Sequence, residues 1–405
     1  MTRRPAARPL AAAGVLLAVS LTACLLFVNF YPMPGLISDD ISYMALARSV
    51  AAGTGFSRDG GITPAVYRPP LFPLLLGGWF TLTGTSSILS AAVFQSVLHA
   101  LGVVAAFCLF LEVSIPMSWA IAGGLFLAVN PLLVTRVVFV LQETSLVLFT
   151  TLAVLASVRL VRRPSAFRAG LAGAAWGICT LGKIVSWYGP FLLLAMRFLP
   201  ARLRWMWSRK EAALLILAFL AVLTPWTVRN YAHFHRFIPV NGQGEGMLEW
   251  NVRHATIPGE PPGERFAAEV YGKGLSERQR MNLLWKYVGD HLRYFLVDRV
   301  IRNAIYFAAP PRDWWNVRGY FRPGADRTLF WVLAGLFHIP LYLFLLYRSA
   351  RWLAGRAPYL LGIPVLFYWV YWAEHALVWG DPRFGLAVYP LLVLMALPIT
   401  SETPA

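Results

Sequence analysis

The sequence predicts an all-α polytopic membrane protein with about ten transmembrane helices, amphipathic interfacial helices and a small extramembrane domain. Apolar residues make up 58% of the 405 residues and charged residues only 14%, and the mean hydropathy is +0.58. A soluble domain carries roughly a quarter charged residues, so there is too little polar surface here to cover a water-soluble globule. Apolar runs of about 20 residues recur along the chain, each long enough to cross a hydrocarbon core of about 30 Å.

The apolar runs and the basic residues between them predict a topology. Predicted spans lie near 10–30, 87–111, 117–135, 140–160, 167–183, 186–200, 211–229, 328–347, 357–379 and 384–400. With a cytoplasmic N-terminus, the short inner loops contain four basic clusters, at 3–8, 159–168, 197–210 and 348–356, whereas the short outer loops contain only Arg136, Lys183 and Arg383. This asymmetry predicts that both termini lie inside. Basic loops that meet anionic headgroups also explain the net charge of +17 and argue against nucleic acid as a partner.

Two long segments then fall on the outer side, at 31–86 and 230–327. The chain divides into an N-terminal transmembrane module (1–229) containing the first outer loop, an extracytoplasmic segment, and C-terminal transmembrane helices (328–405). The second outer segment begins rich in Gly and Pro and continues with an amphipathic pattern at about Glu277–Phe307. This pattern predicts a small domain lying on the membrane.

The first outer loop contains the pattern of an interfacial helix with two acids at its start. Ser38 is a suitable N-cap, Gly53 suits the helix end, and the first turn contains Asp39 and Asp40. Apolar residues follow at helical spacing: Tyr43, Leu46, Ala47 and Val50. Because Asp39 lies four residues before Tyr43, we expect Asp39 on this membrane-facing side and Asp40 turned away from it. The spacing alone also allows both acids to be simple helix-start residues.

A cation follows in the same loop, within Tyr67-Arg68-Pro69-Pro70. The prolines favour an extended entry into an apolar helix that is too short to span the membrane. Arg68 is then held at the interface, where a guanidinium can bind a phosphate through two hydrogen bonds. An arginine that only reaches lipid headgroups would give the same pattern.

Further polar residues map to the same membrane face. They are Glu143, Lys183, Arg229, Glu374, His375, Asp381 and Arg383. A carboxylate such as Glu143 at the start of a span is costly without a role or a partner. For Arg229 and Arg383, an interface anchor is the simpler alternative. A transporter needs polar groups at mid-depth, whereas an enzyme acting on a lipid-anchored anion needs a carboxylate and cations together at one interface.

Taken in order, these motifs resemble the GT-C superfamily of integral membrane glycosyltransferases. The motifs are the acid pair with Tyr43, Arg68-Pro69-Pro70-Leu71, Asn130-Pro131, the span headed by Glu143, Pro225-Trp226 with Arg229-Asn230-Tyr231, and Pro382-Arg383-Phe384 with Pro390. The resemblance covers nearly the whole chain and is closest to bacterial relatives of dolichyl-phosphate-mannose protein mannosyltransferases and lipid A aminoarabinose transferases. It implies a hexosyl- or pentosyltransferase with a polyprenyl-phosphate sugar donor, inverting transfer, and an active site on the periplasmic side of the cytoplasmic (inner) membrane.

The resemblance also implies roles for single residues. Asp39 matches the family's acidic base, and Asp40 stands where the family usually has Glu. Arg68 matches the cation that contacts the donor phosphate, and Lys183 and Arg383 are further candidates for phosphate binding. The remaining candidates in this outer site are Tyr43, Tyr67, Glu143, Arg229, Glu374 and His375.

Cofactors and partners follow from the same comparison. No cofactor is established, and Asp39 and Asp40 could supply ligands to a divalent metal, although adjacent carboxylates alone define no site. The expected partners are membrane lipids, the polyprenyl-phosphate-linked sugar, and an acceptor that is a glycolipid, a polysaccharide or a protein. A transporter or flippase for a lipid-linked or anionic solute is the alternative from another class, and a non-catalytic partner in polysaccharide export is a third.

Overall fold

The computed structural model describes residues 7–31, 35–36, 39–198, 208–242, 244–309 and 325–399. Within these ranges the regular structure is helical, apart from one isolated bridge between Ser57 and Pro64. The predicted all-α class is therefore confirmed. The proposed N-cap Ser38 lies outside the described residues.

Several of the described α-helices follow predicted spans closely, whereas the predicted spans 186–200 and 384–400 contain only short α-helices beside 3-10 turns. In chain order they are α1 (Ala7–Phe30), α2 (Asp39–Ala51), α3 (Leu71–Thr83), α4 (Ile88–Glu112), α5 (Met117–Ala128), α6 (Pro131–Val134), α7 (Glu143–Arg162), α8 (Ala166–Gly182), α9 (Gly189–Ala195), α10 (Arg209–Phe234), α11 (Gly244–Arg253), α12 (Gly263–Gly272), α13 (Glu277–Asp290), α14 (Arg299–Ala308), α15 (Ala325–Leu353), α16 (Gly362–Leu377) and α17 (Tyr389–Ala396). The 3-10 turns are Thr135–Val138, Ile184–Tyr188, Met196–Phe198, Tyr359–Leu361 and Pro382–Val388, and one π turn spans Tyr294–Asp298.

Four of the described helices, α1, α4, α7 and α10, are long and apolar enough to cross a membrane. α5 and the following Pro131–Val138 would together form a fifth span that bends by 46° at the break. The break falls at Asn130-Pro131, because proline has no N–H to donate to the preceding turn. The Asn130 side chain instead caps the new helix by accepting a hydrogen bond from the Leu132 N–H. The predicted count of ten spans stays a prediction.

Two of these helices lie inside the bundle and two at its edge. The apolar stretches of α4 and α7 are 72% and 83% buried, against 22% for α1 and 17% for α10. At the edge, α8 packs closely on α10 through glycines: a Cβ at Gly173 would lie 2.1 Å from the Leu215 carbonyl oxygen. Small residues of this kind let two helix backbones approach within a membrane, where packing drives association.

α14 connects the second outer segment to the bundle by lying against the end of α16. Asn303 Nδ2 donates a hydrogen bond of 3.1 Å to the Ala376 carbonyl, and Trp372 Nε1 donates one of 3.3 Å to the Ala304 carbonyl. α11, α12 and α13 share a separate small core, which contains Val252, Ala255, Leu284, Tyr287, Tyr294 and Phe295. The exact domain boundaries stay predictions.

Candidate active site

Asp39 and Arg68 meet where the first outer loop packs on the bundle. Asp39 is the first residue of α2, and Arg68 precedes the two prolines that lead into α3. Arg68 Nη2 donates a hydrogen bond of 2.5 Å to Asp39 Oδ1, and only 9% of Arg68 is exposed. Its Cζ lies 4.6 Å from the ring centroid of Tyr67 and 5.3 Å from that of Tyr43. Two aromatic rings therefore hold this cation against the carboxylate.

Arg383 reaches the same carboxylate from the far end of the chain. It lies in the turn after α16, where the Asp381 side chain accepts the backbone N–H of Arg383 at 2.9 Å. Arg383 Nη2 lies 3.4 Å from Asp39 Oδ2. Its Nε lies 3.3 Å from Asp381 Oδ2 and 3.7 Å from Glu143 Oε1. One guanidinium thus joins α2, the start of α7 and the turn after α16.

Asp40 is buried more deeply than Asp39, which differs from the expectation that it is turned away. Asp40 is 6% exposed, whereas the Asp39 side chain keeps 26% of its surface. The reason is that α2 is covered on several sides, so that Ser42 and Ser49 are buried along with the apolar residues. Burial, and then the negative charges of Glu143 and Asp39, raise the pKa of Asp40 to about 7.

Lys183 lies next to Arg383 but pairs with a histidine. Its Nζ lies 3.0 Å from His375 Nε2, and His375 Nδ1 lies 2.8 Å from the Tyr371 carbonyl oxygen. Because a carbonyl only accepts, Nδ1 carries the proton and Nε2 accepts from the lysine. Lys183 Nζ also lies 3.3 Å from the ring centroid of Phe384, and Arg383 Cζ lies 5.1 Å from that centroid. The two cations therefore share one aromatic ring.

Two predicted site residues are not part of this cluster. Arg229 donates hydrogen bonds to the carbonyls of Ala65 (2.7 Å) and Phe56 (3.2 Å), so it tethers the first outer loop to α10. Glu374 is next to His375 in α16, but within the described part of the chain it makes no hydrogen bond or ion pair with the cluster.

Some residues of the site escaped the sequence interpretation. The Tyr43 hydroxyl donates a 2.8 Å hydrogen bond to Gln142 Oε1, which links α2 to the residue before Glu143. Phe384, which lies between Lys183 and Arg383, had been noted only as part of a motif. The sequence could have indicated both residues, because Gln142 directly precedes Glu143 and Phe384 directly follows Arg383.

The carboxylates of this site do not form a cage for a divalent metal. Both oxygens of Asp39 face guanidinium groups, those of Arg68 and Arg383. Among the residues that the structure describes, no group of three or more His, Cys, Asp or Glu is placed to hold a metal ion. Magnesium and calcium bind through several oxygen ligands, and the described arrangement fits arginine-bound carboxylates better than such a site.

Comparison with known proteins gives a likeness in structure but none in sequence: no protein-family model and no curated protein matches the chain. The archaeal oligosaccharyltransferase AglB from Archaeoglobus fulgidus, in complex with an inhibitory peptide and a dolichol-phosphate, is similar with a TM-score of 0.58 and 15% identity, over 96% of this chain and 50% of that one. The Archaeoglobus fulgidus oligosaccharyltransferase tethered to an acceptor peptide with the NVT sequon gives 0.54 and 14%, over 97% and 49%.

A third structure, ArnT from Cupriavidus metallidurans bound to undecaprenyl phosphate, gives a TM-score of 0.45 and 15% identity over 94% of this chain and 77% of that one. The two archaeal structures are the ones that establish the shared fold. They confirm the GT-C resemblance at the level of fold. The chain spans about half the length of these oligosaccharyltransferases.

Proposed function

We propose that this chain, which has the GT-C fold, is a glycosyltransferase that moves a sugar from a polyprenyl-phosphate donor to an acceptor hydroxyl or amine. The observation that carries the proposal is the Asp39 carboxylate held between the guanidiniums of Arg68 and Arg383. The shared fold supports it, because one of the archaeal structures contains a dolichol-phosphate and another an acceptor peptide.

The two arginines suit the phosphate of the donor. Glycosyl transfer from a lipid phosphate builds negative charge on the departing phosphate, and cations aimed at that charge stabilise the transition state. Arg68 and Arg383 can each offer paired N–H groups to phosphate oxygens. Lys183 adds a third cation behind Phe384. A donor phosphate that binds here competes with Asp39 for both guanidiniums.

Asp39 is the better candidate for the base of the two neighbouring acids. A base must be ionised before it can take a proton from the acceptor. The raised pKa of Asp40 keeps a large fraction of that carboxyl protonated near pH 7, whereas the Asp39 carboxyl contacts the guanidiniums that would hold the donor phosphate. When the donor phosphate draws the arginines toward itself, the Asp39 carboxylate becomes free to accept a proton. Attack on the face opposite the phosphate then inverts the anomeric carbon.

Glu143 has a positioning role in this proposal. It is 4% exposed at the start of α7, and its Oε1 lies 3.7 Å from Arg383 Nε. A buried carboxylate beside a guanidinium restrains the direction in which the fork points. Asp381 lies two residues before Arg383 and restrains the same guanidinium, because its Oδ2 lies 3.3 Å from Arg383 Nε. In this proposal, arginine and lysine side chains neutralise the charge on the donor phosphate, which is the contribution that a divalent metal would otherwise make.

The localisation belongs to the proposal as well. With both termini inside, the first outer loop and the site it carries face the extracytoplasmic side of the cytoplasmic membrane. The acceptor of the proposed transfer is a glycolipid, a polysaccharide or a protein.

The test is single-turnover transfer from a purified polyprenyl-phosphate sugar by the full-length protein in lipid nanodiscs. We expect transfer by the native protein and its loss in Asp39→Asn, with donor binding retained. A transporter or flippase would instead move the donor between leaflets at the same rate in both proteins. Donor movement without any transfer, in a preparation that binds donor, would overturn the proposed function.

A further inference from the structure

A groove of about 610 Å³ lies in the second outer segment, outside the candidate active site. The groove is lined by Thr256, Ile257, Pro258, Asp290, His291, Leu292, Arg293, Tyr294, Asp298 and Arg302. Its volume lies within the range of pockets that hold small ligands, about 300–1,000 Å³. Seven of its ten lining residues are polar or charged, but most of the lining surface itself is apolar, so the groove suits a ligand that has both hydroxyl groups and apolar faces.

The backbone beside the groove has a rare local geometry. Between α13 and α14 the chain forms a π turn at Tyr294–Asp298, and both end residues of this turn line the groove. π turns are uncommon and occur frequently at functional sites, because the wider turn redirects side chains that an α-helix would place elsewhere. Here the turn brings the Tyr294 hydroxyl and the Asp298 carboxylate to the same cavity.

The Tyr294 hydroxyl is arranged as a hydrogen-bond donor to a ligand. Its oxygen accepts from the Thr256 N–H at 2.9 Å and from Arg302 Nη2 at 3.1 Å. A phenol oxygen has two acceptor positions, and both are taken by these donors. Its own proton is therefore left to be donated, and the nearest protein acceptor, Thr256 Oγ1, lies at the long distance of 3.5 Å.

The charges in the groove balance. Two arginines, Arg293 and Arg302, and two carboxylates, Asp290 and Asp298, line it. His291 also lines it and is paired with Glu260, which lies outside the lining. Within the described part of the chain, no hydrogen bond or ion pair holds the side chain of Arg293, Asp290 or Asp298, so these groups can bind a ligand. A strongly anionic ligand would be opposed by the carboxylates. Alternating donors and acceptors instead match neighbouring hydroxyl groups, each of which both donates and accepts.

The groove is connected to the candidate active site through one residue of α14. Arg302 lines the groove, and the next residue, Asn303, lies against the turn that carries Arg383. A Cβ placed on Gly380 would lie only 2.0 Å from the Asn303 carbonyl oxygen. This close contact links α14, the helix that supplies Arg302 to the groove, to the segment that leads from Gly380 to Arg383.

From these observations we infer that the groove binds the saccharide portion of the acceptor, an uncharged polyhydroxylated chain, and holds it beside the Asp39–Arg383 pair. This inference rests on the proposed function and narrows its acceptor to a glycolipid or polysaccharide. Asp290 and Asp298 accept from sugar hydroxyls, and Arg293 and Tyr294 donate to them. A protein acceptor becomes an alternative that the test can detect.

The test measures binding by saturation-transfer NMR on the full-length protein in nanodiscs. The probes are neutral gluco-, manno- and galacto-oligosaccharides and, separately, an uncharged peptide containing Ser and Thr. The groove variants are Asp298→Asn and Arg293→Gln, whose side chains support no other described contact. The matched controls are Glu269→Gln and Arg278→Gln, which change exposed charges in the same segment outside the groove.

We expect at least one oligosaccharide to bind the native protein, with a Kd that rises about tenfold in each groove variant, the effect of one lost hydrogen bond to a charged group. The controls should bind as the native protein does. The inference is overturned if no oligosaccharide binds, if the groove variants bind unchanged, or if the peptide is the ligand lost in those variants. Asp39→Asn should bind the oligosaccharide normally. If the native protein binds the oligosaccharide but transfers no sugar, that result counts against the proposed function and not against the groove.

Discussion

The substitution Asp39→Asn should abolish sugar transfer without weakening donor binding. The substitution keeps the shape of the side chain and removes the negative charge that lies between Arg68 and Arg383. The donor phosphate then no longer competes with a carboxylate for those guanidiniums. At the same time, an amide cannot accept the acceptor's proton. We therefore expect donor affinity to hold or increase while transfer is lost.

The structure sets the size of both effects. Hydrogen bonds between charged groups contribute about 1.5–3 kcal/mol each, and the 26% exposure of the Asp39 side chain favours the lower end. In the native protein, the donor phosphate must displace Asp39 from the arginines. If this displacement costs half the free energy of one such bond, removing it in Asp39→Asn lowers the donor Kd by a few-fold, since about 1.4 kcal/mol corresponds to tenfold. Loss of a general base typically lowers the rate about 10²–10⁴-fold.

The assay combines single-turnover transfer with donor binding measured separately at the same pH. Asp40→Asn serves as the matched comparison, because it removes a neighbouring carboxyl that does not touch either arginine; we expect a smaller loss of rate and little change in donor Kd. An active Asp39→Asn protein together with an inactive Asp40→Asn protein would refute the assignment of the base. A large rise of donor Kd in Asp39→Asn would refute the competition between carboxylate and phosphate.

Four further results are expected. Arg68→Ala should lower kcat/KM about 10- to 150-fold, equivalent to about 1.5–3 kcal/mol, and Arg68→Lys should restore only part, whereas unchanged donor kinetics would make Arg68 a headgroup anchor. Gly380→Ala should lower kcat, because its Cβ meets a backbone oxygen at 2.0 Å and shifts the turn that carries Arg383; Gly385→Ala, with its nearest contact at 3.2 Å, should do less, and equal effects would contradict this reason. The pKa of Asp40 is raised from 3.8 to about 7, so the folded state holds its proton more tightly and thermal stability should fall as pH rises through this window; Asp40→Asn should flatten the profile, and an unchanged slope would show that another group is responsible. Cysteines placed at exposed positions should label from outside at 62 and 276 and from inside at 208, and a reversed pattern would overturn the topology.

The helices were predictable because their signal is local. Runs of apolar residues mark α1, α4, α7 and α10, and the bounds agree with the predicted spans to within a few residues. Breaks were harder to place: the predicted span 117–135 is interrupted at Asn130-Pro131, a motif that had been noted without its effect on the helix. Hydropathy averages over a window and is insensitive to one missing hydrogen-bond donor.

Sequence motifs named several of the residues that the structure brings together, such as Asp39, Arg68 and Arg383, but not the contacts between them. Asp39 and Arg68 stand in one loop, so a motif could pair them. Arg383 lies 344 positions from Asp39, and Lys183 lies 192 from His375, distances over which sequence spacing carries no geometric information. The burial of Asp40 was missed because a helix-phase argument assumes one covered face, whereas α2 is covered on several.

The groove could not have been found from sequence. Its outline depends on the π turn at Tyr294–Asp298, which inserts one extra residue per turn into what is otherwise a regular amphipathic pattern. The amphipathic prediction for about Glu277–Phe307 treats this stretch as a single helix, and the structure divides it into α13, the π turn and α14.

The tether formed by Arg229 has a consequence for how the first outer loop can vary between related chains. Both of its hydrogen bonds to this loop end on main-chain carbonyls, at Ala65 and Phe56, so the arginine recognises the path of the loop and not its side chains. Substitutions between these two positions leave the attachment intact, whereas an insertion or deletion there would move one carbonyl out of reach. Because Arg68 follows three residues after Ala65, a change in length would be transmitted directly to this cation, which we propose to bind the donor phosphate. Related sequences should therefore keep the length of this stretch and the glycines Gly60 and Gly61, whose φ angles of 73° and 102° disfavour other residues, while its other side chains vary.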